Sequence, residues 1–242
     1  QANWFVRLTD IAPDGTSTLI TGAGMNGAHR DSATEPKAIP KNEVFTLQFD
    51  LHFTSWVVPE GHRIRVAVSN SLWPMIFPSP DLMTTSLYSG IHTPSIISIP
   101  IVPVKPESIP KFYPPNDTNQ LPDVDSRGGH WPEEWFIQRD HRNVSTRATW
   151  KGGDETQFPW GLIKNYEEIS YFAQDHRTDT SSVKGYSETK IFLPNRSLKW
   201  EGHLKFTGDR TSFYFQYTRQ LFEDGKLIRK KTWDEVIPRD HQ

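Results

Sequence analysis

Apolar side chains in this chain return at every second residue, and no long stretch shows the 3.6-residue period of a helix. That spacing confines the fold to β-sheet, with helices short where they occur. Val44 to Phe53 is the clearest case in the first half. Phe45, Leu47, Phe49, Leu51 and Phe53 share one face against Val44, Thr46, Gln48, Asp50 and His52, and five large apolar residues on one side demand a facing sheet. Ile64, Val66 and Val68 likewise oppose Arg63, Arg65, Ala67 and Ser69, after a turn supplied by Pro59 and Gly61. These three are expected to anchor a core, so that truncating one to Ala costs ~2–5 kcal/mol if it is fully buried. Ile97, Ile99 and Ile101 repeat the pattern from Ile96 to Val102.

Turn chemistry punctuates these runs. Trp4 to Thr9 and Thr18 to Ile20 flank Ala12-Pro-Asp-Gly-Thr16, a hairpin signal. Two-sided alternation over residues 1–103 predicts a β-sandwich of jelly-roll type. Prolines at 94, 100, 103, 106, 110, 114, 115 and 122 cannot donate to a central ladder, and predict a linker or surface strap over 104–130. Residues 131–242 return to strands, near 135–139, 144–150, 166–173, 186–193, 198–206, 213–222 and 227–233. The last two are joined by Glu223-Asp-Gly-Lys226, so a second, meandering antiparallel β domain is expected.

With 27 basic and 29 acidic residues, charge points to no nucleic-acid surface, and no run of about 18 apolar residues marks a membrane span. Neither nucleic acid nor membrane is therefore an expected partner. Cys is absent, which removes disulfides, thiolate metal sites and a Cys nucleophile and accords with cytoplasmic residence. The chain starts on a strand-like run without Met and reads as a fragment, with any targeting segment upstream.

No stretch declares a reaction. Gly-x-Ser-x-Gly, the strand-to-helix turn that exposes a serine nucleophile, is missing, and Ser69 and Ser71 read as strand-end hydroxyls. Gly22 to Gly27 lacks the following helix of a phosphate loop. Asp140-His141 and Asp240-His241 are adjacent residues, which on a strand face opposite ways. His130, His141 and His176 read as surface histidines rather than as metal or acid–base groups, and His62 as a turn residue. Arg63 and Arg65 fit structural ion pairs at a domain contact better than an anion site. Trp131, Trp135, Trp150, Trp160 and Trp200 fit core burial better than a sugar-stacking platform. Asn143-Val-Ser and Asn195-Arg-Ser match the glycosylation acceptor. No catalytic, cofactor or metal residue is assigned.

Phe5-Val-Arg-Leu-Thr-Asp-Ile-Ala-Pro-Asp-Gly-Thr-Ser-Thr-Leu-Ile20, His29-Arg-Asp-Ser32 and Gly61-His-Arg-Ile-Arg-Val-Ala-Val-Ser69 with Trp73-Pro74 resemble, over residues 3 to 103, the C-terminal non-catalytic domain of X-Pro dipeptidyl-peptidase and CocE/NonD-type serine hydrolases. Arg139-Asp140, Tyr186-Ser-Glu188, Lys199-Trp200 and Thr232-Trp-Asp-Glu-Val-Ile-Pro-Arg-Asp240 resemble more loosely the tail of longer CocE/NonD members. The resemblance implies a galactose-binding-like jelly roll serving as accessory to an α/β-hydrolase catalytic domain, which carries the triad. It implies no catalytic residue in this chain. The family domain has strand sequence before the Trp4 run, so an exposed edge or apolar face is expected here. The alternatives are a carbohydrate- or ligand-binding module and a structural module that forms homo-oligomers.

Overall fold

The computed structural model describes residues 1–48, 50–102, 111, 113, 125–128 and 134–241. Those residues form two antiparallel sheets and, for helix, two three-residue 3-10 turns. The first sheet has the order β2-β1-β3, from β1 (Asn3–Ile11), β2 (Ser17–Asn26) and β3 (Arg63–Ser69). The β1–β2 turn closes where Asp14 accepts the Thr16 backbone N–H at 2.8 Å and Gly15 takes φ of 90°. β1, being central, buries Trp4, Phe5, Leu8 and Ile11. Gly24 of β2 is required by that burial: a Cβ there would meet the Phe5 ring at 2.5 Å.

The second sheet is a meander ordered β11-β10-β9-β8-β7-β6-β4. Its strands are β4 (Asp125–Gly128), β5 (Glu134–Asp140), β6 (Ser145–Phe158), β7 (Gly161–Gln174), β8 (Ser182–Leu193), β9 (Arg196–Gly208), β10 (Ser212–Glu223) and β11 (Lys226–Pro238). β4 and β5 share one flank of β6, β5 along Ser145–Lys151 and β4 along Asp154–Gln157. The expected strands of the second half are all present, most of them longer than their clearest alternation. Asp224 and Gly225 take φ of 47° and 78° in the β10–β11 turn, as the Asp-Gly signal requires.

Register sorts this sheet into two faces. Trp150, Ile169, Gly185, Leu204, Tyr217 and Trp233 form one row across six strands. The neighbouring row on the opposite face is Thr149, Ser170, Lys184, Lys205, Gln216 and Asp234. One face is thus apolar and the other wet. At one end of the apolar face, residues 72–79 lie across the strands. Trp73 meets Tyr171 edge-on at 5.9 Å, and Phe77 meets Phe206 and Phe213 at 5.3 and 5.1 Å.

The first half departs from the alternation. Val44–Phe53, apart from Phe49, which lies outside the described residues, and Ile96–Val102 run without strand structure. Alternation states which side chains would share a face, but a strand also needs a neighbour to take its N–H and C=O groups, and no described segment pairs with either. Phe45 instead packs edge-on against Trp4 at 5.8 Å, and Phe53 is fully exposed. Ile64, Val66 and Val68 do not anchor a core in this chain: they are 43, 44 and 37 % exposed. Among the described residues β3 pairs with β1 on one side only, and no layer covers its apolar face. Within those residues β3 thus presents an open edge and an exposed apolar face. The strap over 104–130 falls largely outside the described residues, as do His130 and Trp131.

Candidate functional site

The residues that sequence reasoning singled out are dispersed. Ser69 donates its hydroxyl to the Ser71 carbonyl at 3.2 Å, a strand-end bond. Asp140 accepts from the backbone of Arg142 and Asn143 and from Asn143 Nδ2, which organises the turn before β6 and leaves His141 outside it. His176 is exposed in the turn after β7. Gly22 and Gly24 lie within β2 rather than in a phosphate loop. Arg65 donates to the hydroxyls of Thr9 at 3.2 Å and Ser17 at 2.9 Å, so hydroxyls stand where ion pairs were expected. Trp135 and Trp150 are cross-strand partners, Trp160 stacks on Phe158 at 4.9 Å in the β6–β7 turn, and Trp200 carries the Arg219 guanidinium at 4.6 Å. Among the described residues no group of three or more His, Asp or Glu could hold a metal ion. No helix among the described residues is long and apolar enough to cross a membrane.

Three constellations appear that sequence reasoning missed. The first is Asp10, 4 % exposed on β1, which accepts His62 Nδ1 at 2.8 Å and Trp56 Nε1 at 3.0 Å. Burial opposes ionisation of this carboxyl most strongly, yet the hydrogen bonds from Trp56 and His62 and the His62 charge outweigh it and hold the group below its ordinary range. An aspartate orienting a histidine is the acid–base half of an acyl-transfer site. The nucleophile is missing, because no hydroxyl among the described residues hydrogen-bonds His62. The pair therefore ties the 54–62 segment to β1. Its partners stand 46 and 52 positions apart, and no local sequence signal links them.

The second is the seam between the two sheets. Arg239, 2 % exposed, follows β11 and donates Nη1 to the Asp209 carbonyl at 2.9 Å and Nη2 to the Pro78 carbonyl at 2.7 Å. Its guanidinium lies 4.4 Å from the Phe213 ring centre and 5.7 Å from that of Phe77. Burial pushes it below its ordinary value, partly offset by Asp209, Asp81 and Asp179. Arg210 to Asp81 at 2.6 Å and Thr178 Oγ1 to the Ser79 carbonyl at 2.7 Å close the rim. The Asp209 carboxylate, bound first by the Tyr214 hydroxyl and then by the backbone of Thr211 and Ser212, is held well below its usual range.

The third lies on the wet face. Tyr186 donates to Glu188 at 3.3 Å, and Lys190 and Lys199 reach Glu188 and Glu201 at 2.7 and 2.6 Å. Burial first, then the Glu188 and Glu201 charges, push the Tyr186 phenol up to about 12. A folded value above the unfolded one near 10 means this tyrosine contributes stability fully below about pH 10, lost as pH rises towards 12. Tyr171 and Tyr214 are also raised, by burial and by the Asp209 hydrogen bond respectively, so ultraviolet titration should show a late-ionising tyrosine component that Tyr186→Phe diminishes; an unchanged late component would refute the assignment.

Residues 1–95 match the family model of the X-Pro dipeptidyl-peptidase C-terminal non-catalytic domain. Over these residues the chain is similar to that non-catalytic domain. The matched residues take in β1, β2, β3, the Asp10–His62–Trp56 tie and the Trp73–Phe77 segment, while the meander from β4 onward lies beyond the match. The chain is also 30% identical over 74 residues to cocaine esterase of Rhodococcus sp. (strain MB1 Bresler), a match covering 31% of this chain and 13% of that relative. The chain therefore spans only a small part of the curated relative. No solved structure matches it.

Proposed function

We propose that this chain is the accessory C-terminal β region of a serine hydrolase. In this reading it packs against an α/β-hydrolase catalytic domain, stabilises it and walls its substrate cleft, while the parent enzyme cleaves an acyl ester or releases a dipeptide after proline. The carrying observation is the match of residues 1–95 to a domain described as non-catalytic, on a sheet whose β3 face leaves Ile64, Val66 and Val68 uncovered. A partner surface there completes a galactose-binding-like jelly roll in residues 1–103, with 104–130 as the connecting strap and 131–242 as the second β domain.

The test uses the chain as it stands. It is expected to show no esterase turnover and no labelling by a serine-directed phosphonate, and to bind a separately expressed hydrolase domain of the same family with an affinity that Val66→Glu reduces. Strong phosphonate labelling of the isolated chain would overturn the reading. Binding to a glycan array that vanishes on replacing Trp160, which is 49 % exposed and stacked on Phe158, would instead support a carbohydrate-binding module.

A further inference from the structure

β11 is the outer strand of the eight-stranded sheet, hydrogen-bonded to β10 on one side. Among the described residues nothing pairs with its other side. All of its 13 residues except Trp233 are exposed, so the free edge is a long row of open backbone donors and acceptors. Natural sheets guard such an edge with like charges, and Arg229, Lys230 and Lys231 alone would read as that guard. The residues beyond Thr232 change the reading. Counting outward from Thr232, Lys230 is matched by Asp234, Arg229 by Glu235, Ile228 by Val236 and Leu227 by Ile237.

We infer that a second copy of this chain adds to β11 in antiparallel fashion about a two-fold axis through Thr232, continuing the sheet from one chain to the other. In this register Lys230 lies opposite the partner's Asp234 and Arg229 opposite the partner's Glu235, and the two-fold axis repeats both pairs. Opposite residues share a face, so each ion pair is made on one side of the sheet, Lys230 with Gln216 and Asp234 on the wet face. The groups are available. Arg229, Lys230 and Glu235 form no ion pair among the described residues, and Asp234 accepts a hydrogen bond from Gln216 at 3.2 Å through one oxygen, leaving the other. Lys231 rests over Trp233 at 4.5 Å.

Beyond the charges, Ile228 and Val236, at the two ends of the charged stretch, are 49 and 64 % exposed. The register shift against β10 falls at Ile228, which leaves 229–235 as the regular ladder. Other arrangements lose this match. A shift of two residues sets Lys231 against the partner's Lys231 and Ile228 against the partner's Asp234, and an in-register parallel pair sets all three cations against their copies. The edge therefore selects its own antiparallel copy over a generic strand.

Sedimentation equilibrium of the 242-residue chain tests this without reference to any hydrolase domain, so its failure and that of the accessory reading are distinguishable. A monomer–dimer equilibrium that weakens with salt is expected. Arg229→Glu with Lys230→Glu, and separately Asp234→Lys with Glu235→Lys, should each raise the dimer dissociation constant by about tenfold or more. An equimolar mixture of the two double variants should restore the dimer, since their edges are complementary, and this rescue reads the interface even where one variant loses some stability. A wild-type chain monomeric at every accessible concentration, a dimer indifferent to both double variants, or a mixture that stays monomeric would each sink the proposal.

Discussion

Arg239→Ala should lower the unfolding free energy by about 3–5 kcal/mol, the largest single loss expected from this chain, read as a shift of the urea midpoint. The substitution removes the donors to the Asp209 and Pro78 carbonyls, which stay inside the seam without them, and empties the space against Phe213 and Phe77. Arg239→Met separates these effects. It keeps most of the volume and loses both hydrogen bonds, so it should fall between wild type and Arg239→Ala. A cost below about 1 kcal/mol for Arg239→Ala would show that the seam is held by its rim contacts instead.

Phe77→Ala is expected to cost about 2–4 kcal/mol. Phe77 touches Trp73, Phe206 and Phe213 edge-on at 5.1, 5.3 and 5.1 Å, so its ring joins the family domain to the meander. The loss should appear in the near-ultraviolet circular dichroism of the aromatic cluster as well as in the denaturation midpoint. Phe53→Ala is the matched control, because that ring is fully exposed and its removal should be near neutral. Equal losses at the two positions would contradict the packing described.

Legibility differs between the halves for a physical reason. In residues 131–242 each strand is followed directly by its partner, so alternation and the turn signals specify both strand and neighbour. The Asp224-Gly225 hairpin shows how local chemistry sets a pairing. Val44–Phe53 carries alternation as clear as any, yet nothing near it in the chain offers a ladder. Whether it pairs depends on surfaces elsewhere, and its side chains settle individually, Phe45 on Trp4 and Phe53 in solvent. The buried sites were illegible for a related reason. Asp10 and His62, or Arg239 and Pro78, lie 52 and 161 positions apart, and each looks ordinary in its own segment.

Period-two spacing, turn residues and family-specific wording were enough to establish an all-β chain, its hairpins and its kinship with a non-catalytic hydrolase domain, because these depend on residues close together along the chain. Only the folded arrangement decided which alternating runs found a partner. It left Ile64, Val66 and Val68 exposed on an edge strand, and it placed the charge-balanced run of β11 at the open side of the sheet. Such outcomes depend on what lies across the ladder, which alternation within a strand does not by itself specify.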